Sequence, residues 1–165
     1  MRILGIDPGI ATVGFGVVDV NRGAFAEVTH GVITTPAKVP LTRRLDSIYG
    51  DLTTLISDLK PDAISIEELF FAANVKTGIS VAHGRGVILL ACFRSGIPAY
   101  EYTPLQVKQS VAGYGLADKH QVQEMVKRLL NLTRIPRPDD AADALAIALC
   151  HARASTSLMF TEEPI

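Results

Sequence analysis

The sequence lacks the features that mark membrane, zinc-binding and disulfide-stabilised proteins. No apolar run approaches the roughly 18 residues that a membrane-spanning helix needs. Met1-Arg2-Ile3 leads directly into an apolar stretch, so we expect no signal peptide. The only cysteines, Cys92 and Cys150, lie in apolar helical patterns, which favours buried free thiols in a reducing cytoplasm over a disulfide. No His/Cys group has zinc spacing, and no Ser-His-Asp arrangement is indicated.

Internal repeats, low-complexity tracts and linkers are also missing. Residues 1–165 are therefore expected to form one domain, and a hydrophobic content of 48% with 20% charged residues is typical of a folded globular chain. The net charge is only −1, but it is unevenly distributed. Residues 70–138 contain nine lysines and arginines against three acids, a net charge of +6. This asymmetry indicates either a basic face or scattered surface cations.

An apolar stretch at the start of the chain ends abruptly at an acid. Ile3, Leu4 and Ile6 suit a buried strand, Asp7 ends it, and Pro8-Gly9 stops it from continuing. Residues 12–20 and 25–34 then have the composition of two antiparallel partners. Asp7 is thus expected at the carboxyl end of a central strand, where it either hydrogen-bonds the turn or faces a bound cation.

A second acid ends a second strand. Residues 41–59 carry apolar side chains at helical spacing, Pro61 ends that helix, and residues 63–68 read as another strand that ends in Glu67-Glu68. A crossover helix makes the two strands parallel, so Glu67 should lie at the same sheet edge as Asp7.

Two further acids open an alanine-rich helix that begins after Pro138. Asp140 and Asp143 are three residues apart and share one helical face. Capping and the helix dipole explain Asp139 well and Asp140 partly. They explain Asp143 poorly because it lies inside the helix, on a side formed by alanines and Ile147. We interpret Asp140 and Asp143 as ligands.

The segment between these elements is predicted to contain helices over about 74–93, 104–111 and 118–130, with a strand over 98–102. Phe70 and Phe71 occupy a predicted loop before the first of these helices. Either both rings fill the core, or Phe70 projects toward a nucleic-acid base.

Four carboxylates on three elements predict a divalent metal site. Magnesium and manganese prefer oxygen ligands, and two ions about 3.5–4 Å apart can activate water and stabilise the leaving oxygen in phosphodiester hydrolysis. The pattern is moderately specific, because unrelated hydrolases also use clustered acids.

Several motifs, in the same order over essentially the whole chain, resemble the RuvC family of Holliday junction resolvases. They are Gly5-Ile6-Asp7-Pro8-Gly9, Ile66-Glu67 with Phe70, Gln106-Val107-Lys108-Gln109 and Asp140-Ala141-Ala142-Asp143-Ala144-Leu145-Ala146. The resemblance implies an α/β, ribonuclease H-like fold whose five-stranded mixed sheet is flanked by helices. It also implies a cytoplasmic homodimer that nicks two opposed strands of a four-way DNA junction and cooperates with the RuvA and RuvB branch-migration proteins.

The same resemblance assigns roles to individual residues. Asp7, Glu67, Asp140 and Asp143 would bind two Mg²⁺ ions, with Mn²⁺ as an alternative, and the family varies at the position of Asp140. Lys108 and Lys119 would contact the DNA backbone near the scissile phosphate, and Phe70 would contact DNA.

Three other functions compete with this one. A YqgF-type RNA-processing nuclease also opens with a Gly-x-Asp-x-Gly strand and turn, but it is shorter and lacks the segment 106–109. An actin-like or sugar-kinase-like ATPase needs a second similar lobe, which 165 residues cannot supply. A catalytically dead DNA-binding module would not need four intact acids.

Overall fold

In a computed structural model, the chain forms a five-stranded sheet with helices on both faces. The structure describes residues 1–69, 75–156 and 163–165. The strands are β1 (Arg2–Asp7), β2 (Thr12–Asn21), β3 (Ala24–Thr34), β4 (Ala63–Glu67) and β5 (Ala99–Tyr102). The helices are α1 (Leu41–Leu59), α2 (Val75–Ser95), α3 (Pro104–Ala112), α4 (Lys119–Leu129) and α5 (Asp139–Ala154).

The sheet has the mixed topology that the sequence predicted. Its strand order is β3-β2-β1-β4-β5. The β1, β2 and β3 strands pair antiparallel, while β4 pairs parallel to β1 and β5 pairs parallel to β4. Differences from the predicted elements are confined to their ends; for example, β4 stops at Glu67 and α2 runs on to Ser95.

Each face of the sheet buries its own apolar cluster. On one face, α1 contributes Ile48, Leu52 and Ile56, spaced four residues apart, to a core that also includes Ile88 of α2. On the other face, α3, α4 and α5 pack over residues such as Val18. The fold is therefore a three-layer α/β sandwich.

Two helix starts on the second face are held by reciprocal caps. The Gln106 backbone N–H donates to the Thr103 hydroxyl, and the Gln106 side-chain oxygen accepts from the Thr103 N–H. Asp118 and Gln121 form the same box at the start of α4. These caps fix where α3 and α4 begin: Lys119 is the first residue of α4, and Lys108 lies one turn into α3.

Both cysteines are buried and free, as predicted. No helix among the described residues is long and apolar enough to cross a bilayer.

Candidate active site

Two neighbouring strands bring the first two acids together. Ile6 of β1 lies opposite Ile66 of β4 in a parallel pair, so the next residues, Asp7 and Glu67, lie side by side at the carboxyl ends of these two strands. Both strands are buried up to these positions, and both acids are half-buried. The carboxyl-end placement predicted for Asp7 and Glu67 is confirmed.

Helix α5 comes unusually close to the sheet. A Cβ added to Gly5 would lie 2.1 Å from the Ala144 carbonyl oxygen, and one added to Gly14 would lie 2.1 Å from the Asp140 carbonyl oxygen. Such distances are shorter than any real Cβ contact, so only glycine fits at either position. Because Gly14 pairs with Asp7 across β1 and β2, this contact places the start of α5 beside Asp7.

The acids raise one another's pKa values. Burial, followed by the charges of Glu67, Asp143 and Asp140, raises the pKa of Asp7 to about 8. Burial and the charge of Asp143 raise the pKa of Glu67 to about 7, and burial also raises the pKa of Asp143. Each shift means that ionising the carboxyl is costly in this environment. All four predicted acids therefore share one local field.

Lys119 is the cation that most directly offsets this field. Its ammonium lies 2.9 Å from an oxygen of Asp143 and 3.6 Å from an oxygen of Asp139. The hydrogen bond with Asp143 raises the pKa of Lys119. Lys108 and Lys119 both lower the pKa of Glu67, so both predicted lysines lie within the field of the acids.

A cleft of about 250 Å³ joins the acids to the two lysines. Glu67 and Asp143 line it together with Lys108 of α3 and Lys119 of α4. Its remaining walls are mostly apolar and come from the same two helices and α5. The cleft thus combines acids, which suit cations, with lysines, which suit phosphate.

Comparison with known proteins identifies the family. The family model described as "Crossover junction endodeoxyribonuclease RuvC" matches residues 3–151. The chain belongs to this family. A RuvC from Ruminiclostridium cellulolyticum (strain ATCC 35319 / DSM 5812 / JCM 6584 / H10) is 57% identical over 151 residues, which cover 92% of this chain and 91% of the relative.

Solved RuvC structures have the same fold over the full length of both chains. The Thermus thermophilus RuvC structure superposes with a TM-score of 0.90 and 38% identity. T. thermophilus RuvC in complex with Holliday junction substrate gives a TM-score of 0.89 and 36% identity. The fold implied by the motifs, a ribonuclease H-like mixed sheet with flanking helices, is thereby confirmed.

The donor set of this RuvC chain suits the metal dependence of its family. Its four acids offer only oxygen ligands, which favour Mg²⁺ or Mn²⁺ over zinc. The raised pKa values of Asp7 and Glu67 show that these two carboxyls need nearby positive charge to stay ionised. Within the described ranges, no three Asp, Glu, His or Cys side chains converge closely enough to hold one ion between them. Glu67 and Asp143 line the cleft, and Asp7 lies beside Glu67 at the strand ends.

Asp139 and Phe70 differ from the four acids in how the structure bears on their predicted roles. Of the two explanations for Asp139, capping is wrong, because Pro138 holds the cap position and the structure shows no side-chain cap hydrogen bond there, whereas the first-turn position that suits the helix dipole is confirmed. The Asp139 carboxylate instead pairs with Lys119 and with Arg137, contacts that sequence spacing alone does not signal. Phe70, predicted to face DNA, lies outside the described residues, as does Phe71.

Proposed function

We propose that this chain is a Mg²⁺-dependent, structure-selective endonuclease that cuts four-way DNA junctions with paired symmetric nicks during recombination and repair. One observation carries the proposal: Glu67 and Asp143 share a cleft with Lys108 and Lys119 at the sheet edge that also presents Asp7. The RuvC relative solved with a Holliday junction substrate has the same fold over its whole length, which supports this choice of substrate. In this proposal residues 1–165 act as one nuclease domain.

The four acids are the proposed metal ligands. Asp7, Glu67, Asp140 and Asp143 would hold two Mg²⁺ ions, with Mn²⁺ as an alternative. When bound, such ions lower the pKa of a water molecule and stabilise the charge on the leaving oxygen. The protein's part is to hold the acids rigidly: Asp7 and Glu67 by the strand register, and Asp140 and Asp143 by the contact of α5 with the sheet.

The two lysines are the proposed phosphate ligands. Lys119 is oriented by Asp143 and points into the cleft, while Lys108 enters from α3 one turn after the capped helix start. An ammonium on either side of the cleft would attract the scissile strand and orient its phosphate toward the acids.

We also propose that two copies of the chain assemble through α2. Three large apolar side chains on this helix face solvent: Ile79 is 53% exposed, Leu90 48% and Phe93 79%. Leu90 and Phe93 are three residues apart, and Ile79 precedes Leu90 by about three turns, so they share one face. A self-complementary apolar face is what a two-fold dimer needs, and two active sites would then nick two opposed strands.

Sedimentation of Phe93→Glu tests the dimer. We expect a monomer at concentrations where the wild type is dimeric, whereas Leu116→Glu, which alters an 88% exposed leucine after α3, should remain dimeric. A dimeric Phe93→Glu protein would contradict this interface.

Three further parts of the proposal rest on the sequence and on the family resemblance. Phe70 would stack on a base near the crossover. RuvA and RuvB would be the branch-migration partners. The cytoplasm would be the compartment, consistent with two free thiols.

A single comparison of substrates tests the activity. The protein is incubated with Mg²⁺ and, separately, a synthetic four-way junction, a linear duplex, an RNA duplex and ATP. We expect symmetric nicks confined to the junction. Cleavage of the RNA duplex in preference to the junction would favour a YqgF-type nuclease and overturn the proposal. Asp143→Asn serves as the matched control, because it should bind the junction and leave it intact.

A further inference from the structure

The end of α4 and the connection that follows it are strongly basic. Residues 125–138 contain four cations, Lys127, Arg128, Arg134 and Arg137, and neither aspartate nor glutamate. This stretch leads directly into Asp139 and the acids of α5. The basic connection, as we call residues 130–138, therefore lies next to the candidate active site along the chain.

A groove of about 400 Å³ separates the basic connection from the edge strand β3. Arg134 and Arg137 line it on one side and His30 on the other. Its single carboxylate, Glu27, is engaged by the His30 ring. Leu132 and Pro136 add apolar side chains to its lining.

The two arginines of the groove are available to an anionic ligand. Arg134 is exposed and, within the described part of the chain, makes no hydrogen bond or ion pair. The Arg137 side chain is 68% exposed, and it pairs with the carboxylate of Asp139. A guanidinium presents a planar fork of donors that suits two phosphate oxygens at once.

Asp139 connects this groove to the active-site cleft. One of its oxygens pairs with Arg137, and the other lies 3.6 Å from the Lys119 ammonium, which in turn contacts Asp143. Lys119, Arg137 and Arg134 thus follow one path that leads from the acid cluster to the outer edge of the sheet.

We propose that this groove is a second phosphate-binding surface, which holds the sugar–phosphate backbone of the duplex arm next to the scissile phosphate. The inference rests on the proposed function, since it takes junction DNA as the ligand, but it assigns residues outside the cleft. Continuity with the cleft and exposed guanidiniums favour DNA over an apolar protein partner. Contacts of this kind position the substrate and carry no sequence information.

Salt dependence of junction binding tests the proposal. Every protein compared carries Glu67→Gln, so that the junction stays intact, and binding is followed by fluorescence anisotropy from 50 to 200 mM salt. Removing one phosphate contact makes the slope of log affinity against log salt shallower by about 0.9. Arg134→Gln should therefore change the slope by about 0.9 for each subunit that engages an arm, or about 1.8 for the proposed dimer. A change of about 1.8 means that raising the salt from 50 to 200 mM weakens binding by the variant about tenfold less than it weakens binding by the protein that keeps Arg134.

Two matched variants separate charge from fold. Arg134→Lys keeps the charge and should keep the wild-type slope. Arg22→Gln removes an arginine from the turn between β2 and β3, at the opposite end of the sheet from Asp7, and should leave the slope unchanged. Arg137→Gln should also make the slope shallower, but its contact with Asp139 makes it the less clean test.

The outcomes distinguish this inference from the proposed function. If the wild type nicks the junction but Arg134→Gln matches Arg22→Gln in slope, the groove does not bind DNA and the inference is wrong. If the wild type neither binds nor cuts the junction, the proposed function fails first. In the wild-type background and at protein concentrations below saturation, Arg134→Gln should cut the junction more slowly than Arg22→Gln, because a smaller fraction of the junction is bound.

Discussion

Replacing Asp7 with asparagine is expected to stabilise the fold while abolishing DNA cleavage. Asp7 lies at the end of a buried strand, and three other acids act on it. The amide keeps the shape of the side chain but removes its charge. In EDTA at pH 9 the variant should therefore melt at a higher temperature than the wild type.

The magnitude follows from the pKa of Asp7. Its rise from 3.8 to about 8 makes the ionised carboxylate up to about 6 kcal/mol less favourable in the folded protein, at about 1.4 kcal/mol per tenfold change in proton affinity. Burying the amide also has a cost, so we expect a net gain of about 2 kcal/mol. For a chain of this size, such a gain raises Tm by about 4–8 °C.

The effect should depend on pH in a defined direction. Above pH 8, Asp7 is ionised in both the folded and the unfolded protein, and the full penalty acts on the wild type. As the pH falls below 8, the folded protein takes up the proton first, so the penalty decreases until about pH 4. The advantage of Asp7→Asn should thus be clearly smaller at pH 6 than at pH 9.

Differential scanning calorimetry in EDTA at both pH values measures this. Asp19→Asn is the control of opposite sign, because Arg2 lowers the pKa of Asp19 and that carboxylate supports the fold. Adding Mg²⁺ should raise the Tm of the wild type more than that of Asp7→Asn, since binding to the folded state stabilises it. If Asp7→Asn melts at or below the wild-type temperature at pH 9 in EDTA, burial and the neighbouring acids do not destabilise the ionised Asp7 as argued.

Four further predictions concern cleavage, binding and packing. Glu67→Gln should bind the junction with near wild-type affinity and make no nicks on a denaturing gel; nicking at the normal rate would remove Glu67 from the site. Lys119→Ala should make the salt slope of junction binding shallower by about one for each subunit that engages DNA, and an unchanged slope would show that its ammonium does not reach phosphate. Gly5→Ala should lower the free energy of unfolding by about 3 kcal/mol or more in urea titrations, because its Cβ would overlap the Ala144 carbonyl oxygen and the backbone would have to move. Phe70→Ala should slow single-turnover cleavage about five- to 150-fold with little change in Tm, and a junction already open at the crossover should recover much of the rate.

Most of the fold could be read from local sequence pattern. Alternating and continuous apolar runs identified the strands, the spacing of Ile48, Leu52 and Ile56 identified α1, and turn residues located the breaks. The two strand-end acids followed from topology, because a crossover helix makes β4 parallel to β1. The predicted ends of helices and strands were less accurate, because capping contacts determine where an element ends.

Contacts between distant elements could not be read in this way. Nothing in the spacing of the chain indicates that Lys119 of α4 meets Asp143 of α5, or that Asp139 joins Lys119 to Arg137. The Tyr102 hydroxyl and the buried His151 ring, 2.8 Å apart across β5 and α5, were equally unforeseen. Such pairs depend on how helices cross the sheet, which periodicity does not specify. The alanines of α5 have side chains small enough for a close approach, but the sequence did not indicate that Gly5 and Gly14 are the positions this helix contacts.

The contact of α5 with the sheet also determines where this protein can accept change. On the α1 and α2 face, branched side chains such as Ile48 and Leu52 fill the core, and neighbouring rotamers can rearrange around a replacement. Beneath α5, peptide groups of Ala144 and Asp140 lie against glycine backbone, and a peptide group has no rotamer to change. Random variation or directed evolution should therefore accumulate core substitutions behind α1 and α2 and leave Gly5 and Gly14 untouched, even though neither glycine has a side chain to take part in chemistry.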